Sequence, residues 1–216
     1  MPQIFSRSAN IYSKASIGIA GLVLVAVILI GGNVTPYTHR LRVALDQPAP
    51  FSHKHHVAEL GIDCRYCHTT VEKSPFAGIP ATETCYTCHS QIWTNSPLLL
   101  PVRESMATGA PIEWNRVANA PAFVYFDHSI HIAKGVSCYT CHGPVDEMNL
   151  TYKEFALEML WCLDCHRNPE AFIRPKEEIY NPAYKVPKEH AALDRQLVEK
   201  YGIQKEQLSD CWVCHR

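Results

Sequence analysis

The chain has 216 residues, ten of them Cys and twelve His, with 47% apolar, 19% charged and 10% aromatic residues. That balance is unlike a disordered or collagen-like chain, and it is too polar for a polytopic membrane protein. A formal net charge of −1 supplies no global basic field for nucleic acid, and neither a Gly-rich nucleotide loop nor a basic stripe is visible.

Residues 15–34 run without a charged group, and their centre reads IGIAGLVLVAVILI. At about 1.5 Å per residue, such a helix reaches the roughly 30 Å of a hydrocarbon core, which predicts a membrane anchor over residues 15–35. Tyr12 and Tyr37 stand where interfacial aromatics belong, and Pro36 is placed to stop the helix. A cleaved signal peptide would carry about 7–15 apolar residues and an Ala-x-Ala-like site. The exit here reads GGNVTPYTH, so an uncleaved anchor is expected. Arg7 and Lys14 before the helix are matched by Arg40 and Arg42 after it, so charge does not orient it. The absence of Cys before Cys64 argues against a lipobox-type anchor, and residues 36–50 read as a linker.

All ten cysteines fall into five Cys-x-x-Cys-His groups: Cys64, Cys67, His68; Cys85, Cys88, His89; Cys138, Cys141, His142; Cys162, Cys165, His166; and Cys211, Cys214, His215. This is the pattern of c-type haem attachment. Two thiols three positions apart add to the two vinyl groups of one porphyrin, and the adjoining His supplies the proximal nitrogen to iron. Structural zinc gives no reason for a His after every second Cys. Thioredoxin-like sites come one to a domain, and five leave no space for such domains. Disulfide scaffolds use varied spacings rather than one spacing five times. Five haem c groups are therefore expected.

The groups recur with a period of about 74 residues. Phe51-Ser-His53-Lys-His55-His56 precedes the first group and Phe126-Asp-His128-Ser-Ile-His131 the third, so a Phe-x-His-x-x-His element repeats in register. Two dihaem units, about 51–125 and 126–188, and a single-haem remainder, 189–216, make up a pentahaem domain over 51–216. Five proximal His leave seven for the open faces of the irons. His53, His56, His128 and His131 lie in the repeated elements, each pair three apart and able to serve two porphyrins. His190, 21 residues before Cys211, occupies the corresponding slot of the third unit. His39 and His55 are left over as interfacial and solvated residues, and Met106, Met148 or Met159 could replace one His.

With 15 Pro, regular structure is expected to be sparse, loop-like around residues 97–121 and helical over 151–161 and 189–201. The fold class is thus a multihaem cytochrome c with little regular secondary structure, mostly short α-helices and loops around stacked haems, plus one N-terminal transmembrane helix. Iron with both axial positions filled has no open site for substrate, which favours electron relay, and no hydrolytic constellation is visible.

The Phe-x-His-x-x-His pattern resembles class III multihaem cytochromes c, and that resemblance implies that His53 ligates the haem of His68 and His128 that of His142. The destinations of His56, His131 and His190 stay open. Over almost its whole length the chain is similar to the pentahaem (ActA-type) cytochrome subunit of alternative complex III. The shared features are the anchor, the Phe-x-His-x-x-His element about thirty residues later and the five attachment groups. The resemblance implies an iron-sulfur partner of molybdopterin-enzyme descent, polytopic subunits holding a menaquinol site, a monohaem cytochrome c and a periplasmic electron acceptor. It also implies a bacterial inner-membrane location, with residues 1–14 cytoplasmic and the haem domain on the periplasmic side. Quinol dehydrogenases of the NapC/NirT/NrfH type also join one helix to several haems. They place the first haem sooner after the helix and often carry a Met near the motif, whereas Thr69 and Thr70 follow His68 here. A multihaem reductase would need one distal His to be missing.

Overall fold

The computed structural model describes residues 6, 8–34, 39–185 and 191–215. The chain divides into two units, 1–41 and 42–216. The first contains α1 (Ala9–Val34), whose 26 residues extend about 39 Å. It is long and apolar enough to cross a membrane, and its large apolar side chains from Ile17 to Ile30 are exposed. The helix starts six residues ahead of the expected position 15. The amides of Ala9 and Tyr12 find the carbonyls of Ser6 and Ser8, so backbone pairing carries it past the charged Lys14. The expected terminator, Pro36, and Tyr37 lie outside the described residues.

Among its described residues the second unit carries a π-helix (Lys54–Glu59) and eight short α-helices. These are α2 (Cys64–Cys67), α3 (Thr82–His89), α4 (Leu100–Thr108), α5 (His128–Ala133), α6 (Cys138–His142), α7 (Met159–Arg167), α8 (Ala191–Lys200) and α9 (Cys211–Cys214). Among the described residues there is no strand, only isolated bridging such as Val136 with Ile173. The architecture is mostly short helices and loops with one apolar N-terminal helix, the arrangement expected of the sequence.

Two local expectations are corrected. Of the helix anticipated over 151–161, only its end is helical, as the start of α7. Long-range contacts hold the preceding run open: Arg42 donates from its amide to the Lys153 carbonyl at 2.9 Å and from Nε to Glu154 at 3.0 Å. Leu157 then adopts a left-handed conformation at φ 57° that no helix interior accepts. Conversely, the loop-like stretch 97–121 contains α4. Pro101 sits in its first turn, where a missing N–H costs nothing, and Gly109 at φ 73° closes it in the left-handed region. The expected helix over 189–201 is found as α8, its first two positions lying outside the described residues.

Apolar packing is limited to small clusters. Val136, Ile173, Leu197 and Tyr201 form one, and Val71, Ile132 and Ile179 form another, which joins the segment after the first attachment group to α5. Gly135 lets the first cluster close. At φ 84°, a Cβ there would meet Tyr201 Cε2 at 2.6 Å and the Arg174 carbonyl at 2.7 Å. Gly135→Ala is expected to destabilise the holoprotein by about 1–3 kcal/mol in chemical denaturation. Gly61→Ala, also at positive φ but with open space around it, should cost less; equal effects would refute the packing role.

Candidate haem sites

Every Cys-x-x-Cys-His group forms a turn of helix: α2, the end of α3, α6, the middle of α7, and α9. Helical geometry places residues i, i+3 and i+4 on one face, so two thiols and an imidazole present together. Asp63 and Ser137, immediately before Cys64 and Cys138, cap their turns by accepting from the amides of Arg65 and Tyr139. Burial raises most of these thiols, Cys141 to about 12 and Cys165 to about 11, so they stay protonated at neutral pH. Cys64 and Cys138 lie close enough to interact as donor and acceptor, which lowers Cys64 and raises Cys138.

Four of the five proximal histidines share one device. His68 Nδ1 donates to the Gly78 carbonyl at 2.6 Å, His89 to Ile92 at 3.2 Å, His166 to Leu208 at 2.8 Å and His215 to Phe123 at 3.3 Å. Among the distal candidates, His56 donates to Ser52 at 2.8 Å, His128 to Pro75 at 2.8 Å and His131 to Asp127 at 2.6 Å. His53 Nδ1 pairs with the Thr151 hydroxyl at 3.1 Å. With Nδ1 engaged, Nε2 is the nitrogen left to bind a metal, the arrangement typical of ligating histidines. Burial, reinforced by neighbouring histidines, pushes His53 and His142 down to about 4 and also lowers His131. These rings are neutral at physiological pH, as a ligand must be.

The rings also come in pairs. Centroids of His56 and His89 lie 6.2 Å apart, those of His128 and His142 6.4 Å apart, and those of His131 and His166 6.2 Å apart. Two imidazoles bound through Nε2 to one metal at about 2.0 Å each have centroids a little over 6 Å apart. The spacing fits one iron between the members of each pair. His53 lies near enough to His68, His142 and His56 for their charges to act on it. Zinc would need about four ligands gathered at a point, and no such group of three or more His, Cys, Asp or Glu occurs among the described residues. A second fit comes from Tyr139 Oη and Arg174 Nε, buried polar atoms with no hydrogen-bond partner among the described residues. Both residues line a cavity of about 310 Å³ beside Cys138, a donor pair suited to a carboxylate such as a haem propionate.

The repeated Phe proves to be a positioning element. Phe51 meets His53 edge-on at 4.9 Å and stacks on His56 at 4.4 Å; Phe126 meets His128 edge-on at 4.7 Å and stacks on His131 at 4.6 Å. Its recurrence was visible in the sequence, but its stacking was not. His55 is not simply solvated: it pairs with Glu59 at 2.9 Å and lies parallel to Trp93 at 5.5 Å. His39 belongs to the first unit, and His190 lies outside the described residues. Met148 is buried, while Met159 is exposed.

Residues 124–216 match the family of cytochrome c7 and related cytochromes c. Over 144 residues, 57% of this chain and 69% of the relative, the sequence is 32% identical to the multihaem cytochrome c subunit of menaquinone reductase from Nitratidesulfovibrio vulgaris. With the attachment turns and paired imidazoles in place, this likeness makes the chain a member of the multihaem c-type cytochrome family, and haem c its cofactor.

Proposed function

We propose that the chain is a membrane-anchored pentahaem cytochrome c that relays electrons between the quinone pool and acceptors on the outer side of the membrane, as a subunit of alternative complex III. One observation carries the reading: three pairs of imidazoles, His56 with His89, His128 with His142 and His131 with His166, stand opposed at the spacing of two axial ligands, so that at these sites protein nitrogens fill both axial positions and leave none for substrate. Haem c supplies one-electron ferric/ferrous chemistry when bound. The chain's own task is to hold the irons in one spin state and the porphyrins in place. Our assignment pairs His68 with His53, His89 with His56, His142 with His128, His166 with His131, and His215 with His190. α1 serves as the anchor, with residues 1–14 cytoplasmic and 51–216 on the periplasmic side, because haem attachment in known families occurs there.

The name of the menaquinone reductase relative links that protein to menaquinone and to an assembly containing other subunits. Its direction is the reverse of the quinol oxidation proposed here. The potentials of donor and acceptor decide which way such a relay runs. Alternative complex III adds an iron-sulfur subunit, polytopic quinol-binding subunits and a monohaem cytochrome c as partners.

The reading is tested by mild-detergent extraction of native membranes, followed by identification of every polypeptide in the haem-staining assembly. We expect a large iron-sulfur subunit and several polytopic proteins, with haem bands reduced by a menaquinol analogue. Recovery alone or with one soluble reductase would instead indicate a NapC/NirT/NrfH-type quinol dehydrogenase.

Two experiments address the ligands. His56→Ala should turn one haem of five high spin, seen by electron paramagnetic resonance, with the mass of covalently bound haem unchanged; five low-spin haems would refute the pairing. Burial disfavours the charged form of His53 and His142 and so favours the neutral, ligating form, which makes stability rise with pH across the range where a free imidazole titrates. Acid should therefore strip the outer sites of their ligands before these two, as followed by Soret absorption; simultaneous ligand loss at all sites would contradict their protection by burial.

A further inference from the structure

We propose that the five attachment sites are strung in the spatial order second, first, third, fourth, fifth, so that the groups Cys85–His89 and Cys211–His215 form the two ends. The inference rests on the ligand pairing above and adds to it the contacts between sites.

The first two sites are tied by one element, because His53 and His56 flank the same Phe51 ring while His56 faces His89. The third and fourth are tied likewise: His128 and His131 flank Phe126 and face His142 and His166. The question is which member of the first pair meets the second pair, and several independent contacts give the same answer. His128 donates from both its amide, at 3.2 Å, and its Nδ1, at 2.8 Å, to the carbonyl of Pro75, in the turn that follows His68. Val71, three residues after His68, packs with Ile132 of α5 and Ile179, and the Ile179 carbonyl accepts from Ser137, the cap of the third site, at 2.6 Å. Thr151, downstream of the third site, holds His53, the distal residue of the first. The thiols of Cys64 and Cys138 are neighbours as well. The first site therefore stands between the second and the third.

The fifth site adjoins the fourth. The His166 tether is the carbonyl of Leu208, three residues ahead of Cys211, and Tyr125 donates to the Cys214 carbonyl at 2.8 Å from the residue before Phe126, which stacks on His131. Two exposed tryptophans mark the ends: Trp93, just past His89, and Trp212, inside the fifth group, each 61% exposed.

The test is an electron cryo-microscopy map of the full-length holoprotein in its native complex, in which each iron is assigned to its group through the thioether bonds. We expect the neighbours to run second to first, first to third, third to fourth and fourth to fifth. Five irons with the second beside the third, or the fifth beside the first or second, would overturn the order while leaving the haem assignment standing. Fewer than five irons would overturn the pentahaem reading and the order with it.

Discussion

An imidazole that binds iron has one nitrogen left over, and the disposal of that second nitrogen organises this molecule. Backbone carbonyls take it at Gly78, Leu208, Pro75, Ser52 and Asp127. A carbonyl accepts only N–H, so each such bond fixes the tautomer, turns the ring and leaves Nε2 facing its partner. The loops between helices are thereby assigned a purpose, since they carry the accepting carbonyls. Two of these bonds, His166 to Leu208 and His128 to Pro75, span more than forty residues of chain. The tethers that orient ligands also hold the second unit together where apolar clusters of three or four residues do not suffice.

The duplicated Phe-x-His-x-x-His element shows which parts of the device are local. In both copies the Phe ring meets the first His edge-on and stacks on the second, and the second His donates to the carbonyl four residues back. What differs is long-range. The first His binds a hydroxyl from Thr151 in one copy and the Pro75 carbonyl in the other. The backbone differs too: the first copy runs into a π-helix and the second into α5. The wider turn accommodates His55, which stacks beside Trp93 and has Ile130 as its counterpart in the second copy.

The covalent chemistry was legible because it is periodic: thiols at i and i+3 and an imidazole at i+4 declare themselves in any fold. The apolar helix was legible for a different reason, since an unbroken apolar run of membrane length shows in the sequence without any tertiary partner. The partners of His56 and His131 were not, because a residue three positions from another can face either of two porphyrins until tertiary contacts choose. The tethers were unreadable in principle, since every residue carries a carbonyl and none advertises which will be used. The run 151–161 failed for a related reason. Its apolar spacing suits a helix, but Arg42 and His53 claim its backbone and side chains first, and tertiary bonds outweigh propensity differences of a few tenths of a kcal/mol per residue.

The proximal tethers are also unequal. The proximal rings of the first and fourth sites are held at 2.6 and 2.8 Å, those of the second and fifth at 3.2 and 3.3 Å. A shorter N–H to carbonyl bond lends the imidazole more anionic character and makes it a more basic ligand, which favours ferric over ferrous iron. Ligand basicity alone would then lower the potentials of the first and fourth sites relative to the second and fifth. Burial acts the other way, because a low dielectric disfavours the extra charge of the ferric centre. At a buried, tightly tethered site the two effects therefore oppose one another, and neither alone sets the potential.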